Sequence, residues 1–576
     1  MAKVMWGFGN TTVRNPNRIS SGLNTLLNSQ YNGNIIGVEN EAGFAKVLGD
    51  GGVIALSEKS DIDSSGRKWR SCFSQLGFIT HKFSRKVTED KKDGVILKVV
   101  DQHPELNLSG NPYQITPQGY RLATIEHVSE AQDVMLRALL CYELPSAVQS
   151  LKDVKGKFKP FVFVLQVLKR LMETDNETRG LSTSEMVALQ AVYSHDEIDN
   201  VIEKIIEHRK KRDKVEGKVK KSRVDREFRE NILKTYGLKV KEDSANTYAE
   251  RNFRYLRATG LFSRKGRGIT LNLDKKLIID SILATEPTFA VNEEMYLYHL
   301  WNGYPIPTDD KKVLIEEIIR LSKYFDESIN RKQLLTEEVP LLQQKKIRME
   351  SQKAAIDEED YAVSQKTDEN IKEIIDYLDV INGKRNEDIL VDDKPAYLEW
   401  AVWRAFLSIN NLRNKPYHAR RFKIDQDFYP VGTAPGNGPD IIFEFEDYVL
   451  VVEVTLTSSS RQEAAEGEPV RRHIAVEKDN YDKPVYGLFI AGSIDNNTAE
   501  TFRIGVWYHG DVPDFINIVP MTLEQFIGIM TKFQSNQFSN EEFRLLLDRC
   551  LLPRNAHAPL WKKEINKEIS SFVEFV

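Results

Sequence analysis

Residues 439–455 read PDIIFEFEDYVLVVEVT, and this stretch limits what the chain can fold into more tightly than any other. Asp440 opens a run rich in Ile and Phe, Glu446 and Asp447 break it, and Tyr448 to Leu456 is almost wholly apolar apart from Glu453. Two such runs around a short polar break predict a β-hairpin. A two-residue loop at Glu446–Asp447 pairs Phe445 with Tyr448 and sets Asp440 opposite Glu453. Opposed residues share a face, so the two carboxylates lie side by side. A three-residue loop sends them to opposite faces instead. A lone buried carboxylate costs on the order of several kcal/mol, so two together on an apolar hairpin predict a bound cation. All-oxygen donors favour a hard ion such as Mg²⁺. The plainer alternative makes Asp440 a turn residue after AlaProGlyAsnGlyPro and pairs Glu453 with a nearby Arg.

A chain of 576 residues has room for three or four domains, and 41% hydrophobic residues are enough for several cores. The formal net charge of −5 excludes a uniformly basic nucleic-acid binder, so charge has to be read by region. Cys72, Cys141 and Cys550 stand far apart without metal-ligand spacing, which points to a reducing, cytoplasmic setting and away from a zinc site. The opening MAKVMWGFGNTTVRNP lacks the apolar core of a signal peptide, and no stretch is long enough to span a membrane.

Before residue 300 a pattern recurs. Gly66 to Phe78 reads as a basic helix closed by Gly77, followed by strands at Phe78–Lys82 and Gly94–Val100 around a charged loop, then a strand and turn at Tyr113–Gly119. Residues 249–274 repeat it: a basic helix ending near Gly260, then a hairpin around SerArgLysGlyArgGly. Helix plus β-ribbon predicts two winged-helix-like subdomains, residues 1–140 and 141–300. In such motifs a helix enters the major groove and Arg reads guanine edges. The candidates are Arg67, Lys68, Arg70, Arg251, Arg254 and Arg257, with the Ser263–Arg267 turn set for backbone phosphates. The segment Arg209–Arg229 is dense in Lys and Arg and suits salt-dependent phosphate contact. Solvated basic helix faces explain the same residues without DNA.

From 301 to 385 apolar residues recur at helical spacing (Leu314, Ile315, Ile318, Leu321, then Ile371, Ile374, Leu378) around a polar middle, Gln343–Lys366. This predicts a helical linker, or helices packed on one of the domains. Residues 386–576 read as helix, hairpin, helix, strand, helix, strand. The first helix starts at Pro395 and carries Glu399 in its first turn, as a dipole partner or a site residue. An antiparallel hairpin joined to later αβ units predicts a mixed sheet flanked by helices.

That order, with Asp440 and Glu453 on the hairpin and an acidic residue on the preceding helix, resembles the PD-(D/E)XK nuclease superfamily. Its usual Lys two places after the Glu is Thr455 here. ThrAlaProGlyAsnGlyProAsp, GluValThr, GluGlyGluProValArgArgHis and GlyLeuPheIleAla, preceded by GluTrpAlaValTrp, are similar to the AlwI family of type IIS restriction and nicking endonucleases. The resemblance implies a multidomain α+β and α/β chain: a winged-helix-like recognition half, a helical linker, and a PD-(D/E)XK-like cleavage domain. It implies that Asp440, Glu453, the Val454 carbonyl and Glu399 hold Mg²⁺, with Mn²⁺ able to substitute. Glu466 and His473 match further catalytic residues, with Glu468 close enough to be confused with Glu466, and Arg471 and Arg472 are placed to grip the phosphate.

The resemblance also implies the function: Mg²⁺-dependent hydrolysis of double-stranded DNA at a fixed short distance outside an asymmetric site, in the bacterial cytoplasm. A cognate DNA methyltransferase is the expected genetic partner. Family sites are of the GGATC or GAGTC type, and the opening GlyAsnThrThrValArgAsnProAsnArgIle points to GGATC. One site per chain cuts one strand. The chain then nicks, or cuts both strands through a transient homodimer or a small second subunit. The rivals are a DNA-binding regulator with an inactive nuclease-like domain and a repair or mobile-element nuclease. No HNH, GIY-YIG or P-loop signature is present.

Overall fold

The computed structural model describes residues 4–54, 56, 62–82, 91–149, 154, 156–174, 179–325, 329–458, 461–509 and 511–574. The chain divides into two units, Met1–Ser351 and Gln352–Val576. Among the described residues no helix is long and apolar enough to cross a membrane. The three cysteines are free and buried.

The first unit is mainly helical, and here the expected first ribbon is corrected. Gly94–Val100 is not a strand; it lies in the helix Lys91–Gln102. A short apolar run fits either period. The helix wins because Ile96, Val99 and Val100 fall on one face and bury against Leu297, Leu300 and Trp301. Tyr113–Gly119 runs into a second helix, Pro117–Thr124, where Pro117 takes the first turn and Thr116 Oγ1 accepts from Gly119 N at 3.1 Å. What remains of the first ribbon is a bridge between Ile79 and Ile115. The charged loop read before it falls on 83–90, outside the described residues.

The second pattern takes the form of a helix, Glu242–Arg257, and an antiparallel pair, β1 (Phe262–Lys265) and β2 (Gly268–Leu271), with Lys265 and Arg267 exposed at the tip. The basic stretch before it forms the facing ends of helices Ile198–Asp213 and Lys218–Thr235. Lys210, Lys211, Lys214, Lys218 and Lys220 are exposed there, whereas Arg209 is buried against Glu185 at 2.7 Å.

Residues 311–381 follow the predicted helical period. Helices Lys311–Ser322 and Arg331–Thr336 and the start of Val339–Ser364 bury Leu314, Ile318, Leu321, Leu334, Leu342 and Met349 in a small core. Helix Asp368–Ile381 buries Ile371, Ile374 and Leu378 in the core of the second unit. The polar middle is helical as well, because its charges find partners. Lys346 lies 3.0 Å from Asp133, and Glu358 receives Arg420 through two contacts of 2.7 Å.

The second unit is built on a four-stranded mixed sheet in the order β3–β4–β5–β8. The strands are β3 (Ile441–Glu444), β4 (Val449–Thr455), β5 (Val485–Ala491) and β8 (Asn517–Thr522). β3 runs antiparallel to β4; β4, β5 and β8 are parallel. A separate hairpin, β6 (Val506–His509) and β7 (Val512–Phe515), precedes β8 and was not legible in the sequence. Helix Lys394–Ser408 packs Phe406 on Phe443 of β3, with ring centroids 4.8 Å apart. Helix Glu468–Asn480 covers the other face. There Gly487 of β5 makes room for Ile474, whose Cδ1 stands 2.2 Å from where a Cβ would lie.

One buried cation fastens the second unit. Arg404 is 1% exposed, lies 4.5 Å above the Trp400 ring, and donates to Gln365 Oε1 and Glu373 Oε2, each at 2.6 Å. Glu373 keeps contact with water, so the loss in Arg404→Ala comes from the emptied space on Trp400 and the freed Gln365, and should cost roughly 2 kcal/mol. A urea titration followed by tryptophan fluorescence checks it, and an unchanged midpoint for the second unit would refute it.

Candidate active site

The register of the hairpin brings the two carboxylates together. Ile441 pairs with Val452 and Glu444 with Val449, and Phe445 N donates to Tyr448 O at 2.9 Å. The loop is therefore the two-residue form, and Asp440 sits across from Glu453. Asp440 Oδ2 accepts from Val454 N at 2.9 Å, which ties its carboxylate to the end of β4.

Three further groups come from other elements. Glu399 lies in the second turn of helix Lys394–Ser408, not the first, and so is no partner for the helix dipole; its Oε2 accepts from Ala434 N at 2.7 Å. Glu466 sits half-buried in a π-helical turn, Glu463–Gly467, that runs into helix Glu468–Asn480. Turns of this kind cluster at functional sites. His473, on that helix, places Nδ1 2.7 Å from Glu453 Oε1. Gln462 fixes the turn from below: it donates to Thr457 O at 2.7 Å and Ser493 O at 2.9 Å, and accepts from Asp495 N at 2.9 Å, so it joins the segments that leave β4 and β5.

These groups strain one another electrostatically. Burial, then the charge of Asp440, holds the Glu399 carboxyl well above the usual carboxylate range. Burial and then Glu453 do the same to Asp440. Glu453 is pushed up to about 8, by burial first and by Glu466 next. His473 moves the other way: burial, then Arg472, favours its neutral form. Its Nε2 is buried and has no hydrogen-bond partner among the described residues.

Among the described residues no three His, Cys, Asp or Glu side chains are already gathered as a metal cage. The donor set nonetheless fits a hard cation. Carboxylates that resist ionisation together are relieved by one divalent charge between them, and the oxygen donors of Asp440 and Glu453 suit a hard divalent cation.

The structure places the other sequence-derived candidates variously. Arg472 is ion-paired on an exposed helix face with Glu468 at 3.1 Å. Arg471 has a buried Nε without a partner among the described residues. Arg67 is exposed and Lys68 half-buried. Arg70 is engaged by Glu41 and Ile35 O and lies over the Tyr113 ring. Arg251 is 8% exposed and packs against Gly7 and Tyr248, so its guanidinium faces protein. Arg254 and Arg257 are half-buried. Thr455 uses its Oγ1 to accept from Thr457 N at 3.1 Å. Sequence reasoning missed Arg421, whose one visible signal was an ArgArg pair ahead of the glycine-rich turn.

Comparison with curated proteins returns no match. Among solved structures the chain is similar to one described as the crystal structure of the small subunit (R.BspD6I2) of the heterodimeric restriction endonuclease R.BspD6I. The identity is 23%, the match covers 35% of this chain and 98% of that one, and the TM-score is 0.28. A family model described as AlwI restriction endonuclease matches residues 74–529, most of the chain. The chain belongs to the AlwI restriction endonuclease family, and with it to the nucleases that act on DNA.

Proposed function

We propose that the chain is a type IIS endonuclease of the PD-(D/E)XK kind, in which the first unit recognises a short asymmetric site and the second cuts at a fixed distance from it. The observation that carries this reading is the meeting of Asp440 and Glu453 across one hairpin, with Glu399 and His473 brought in from two helices. Asp440, Glu453, the Val454 carbonyl and Glu399 would hold Mg²⁺. When bound, the ion lowers the pKa of its water and offsets the charge on the phosphoryl oxygens.

The protein supplies the rest. Thr455 cannot take the part of the lysine usual at its position, so a proton on the attacking water passes to another group. In its neutral form with Nδ1–H directed at Glu453, His473 presents Nε2 as an acceptor. Glu466 is the other candidate. The basic helix ends around Lys210–Lys220 and the β1–β2 tip suit backbone phosphates. One site of this kind cuts one strand, and a second copy or a small second subunit would cut the other. A methyltransferase that protects the same sequence is the expected genetic partner, in a bacterial cytoplasm, and the site read is of the GGATC type.

Incubation with supercoiled plasmid and Mg²⁺, followed by sequencing of both strands at every break, tests the reading. Breaks at one offset from one short motif are expected, on one strand for a nicking enzyme and on both otherwise. Breaks without a common motif favour a repair nuclease. Binding without breaks, in Mg²⁺ and in Mn²⁺, favours an inactive regulator.

A further inference from the structure

Arg421 stands at the candidate site with no carboxylate partner among the described residues. The segment that contains it runs antiparallel beside β3, where Arg420 bridges to Ile441. Neighbouring residues of an extended segment point to opposite sides. Arg420 turns to the buried Glu358, through contacts of 2.7 Å. Arg421 therefore turns the other way, onto the turn that leads into Asp440. Its backbone N donates to Asp440 O at 3.2 Å, its Nη2 to Asn437 Oδ1 at 2.8 Å and its Nη1 to Pro439 O at 3.4 Å. The fit against the turn depends on Gly438, because a Cβ there would lie 1.8 Å from Nη1.

Those side-chain acceptors are neutral. Among the described residues no ion pair includes Arg421, and two N–H donors are used while the rest of the guanidinium fork is left over. Its positive charge nonetheless acts on Glu453 and His473, lowering the pKa of both. A guanidinium held by neutral acceptors beside a cluster of carboxylates keeps its charge available for an anion that arrives later. The anion that arrives at a DNA-cutting site is a phosphodiester, whose planar pair of oxygens matches the fork. Arg472, by contrast, already spends its charge on Glu468.

Resting on the nuclease site proposed above, we propose that Arg421 contacts the scissile phosphate, with the Asn437–Pro439 turn as its anchor. Charge on the phosphoryl oxygens grows toward the transition state, so the contact acts more on rate than on affinity.

The test is single-turnover cleavage of supercoiled plasmid with enzyme in excess and saturating Mg²⁺, beside plasmid affinity measured without divalent cation. Arg421→Ala is expected to slow cleavage roughly 10²–10³-fold while affinity changes less than about tenfold. Arg421→Lys keeps the charge and is expected to recover at least about tenfold of that loss. Wild-type rates in Arg421→Ala overturn the proposal. So does a lysine variant no faster than the alanine one, which would make Arg421 a brace for the turn. If the alanine variant does not fold, Arg421→Gln keeps a donor for the turn without the charge, and a wild-type rate there overturns the proposal equally. Glu453→Gln is run in parallel. If it cuts normally, the site reading falls and Arg421 with it; if it is inactive while Arg421→Ala cuts normally, only the role of Arg421 falls.

Discussion

Asp440→Asn and Glu453→Gln are each expected to lower the single-turnover cleavage rate by about 10⁴-fold or more, while the metal-free protein becomes no less stable. The loss is large because both oxygens sit in a set that acts as a unit, and one neutral member empties the set. Stability moves the other way because the folded chain carries these groups unwillingly. Glu453 has a folded pKa of about 8 against an ordinary 4.5. Between those values the folded state binds more protons than the unfolded one, so its stability falls as pH rises. The contribution is fully present below 4.5 and is lost as pH climbs through 8, at no more than about 1.4 kcal/mol per pH unit for one carboxylate. Melting curves of metal-free wild type and Glu453→Gln from pH 5 to 8.5 read this directly. The wild type should lose ground on the variant as pH rises, and a divalent cation should restore it. Parallel melting curves at every pH, or normal cleavage by either variant, would dismantle the reading.

The second large effect separates the two candidate proton acceptors. His473→Ala and Glu466→Gln are expected to differ, with the true acceptor costing roughly 10²–10⁴-fold and the other far less. The geometry favours His473, whose Nδ1 is held by Glu453 while Nε2 has no partner among the described residues. Its pKa lies below the ordinary 6.5, so the neutral form is already in place at neutral pH. If His473 is the acceptor, the wild-type rate rises with pH through a midpoint below 6.5 and then levels off. Two variants that both cut at near-wild-type rates in saturating Mg²⁺ would remove both groups from the mechanism.

The hairpin was legible because a two-residue break fixes its register, and the register alone decides whether Asp440 and Glu453 meet. The helix at Pro395 and the strand at Val485 were equally plain, since Pro punctuates the first and a long apolar run marks the second. Gly94–Val100 misled because seven residues satisfy a strand and a helix alike until Trp301 decides between them. Arg251 misled for a different reason: sequence counts a charge but not the tertiary contacts that bury it. Glu399 was placed on the right helix but one turn off, and its partner Ala434 lies across the fold. Arg421 went unseen because its partners include backbone oxygens, which carry no signature of their own.

The missing side chain at Gly487 reaches further than packing. Ile474, the residue it admits, is the immediate neighbour of His473, so the depth to which that helix settles on β5 also sets the gap between His473 and Glu453. A close-packed interior passes such displacements on with little slack. Position 487 is thus a gauge block under the helix that carries His473: inert in itself, yet setting the height at which that histidine meets Glu453.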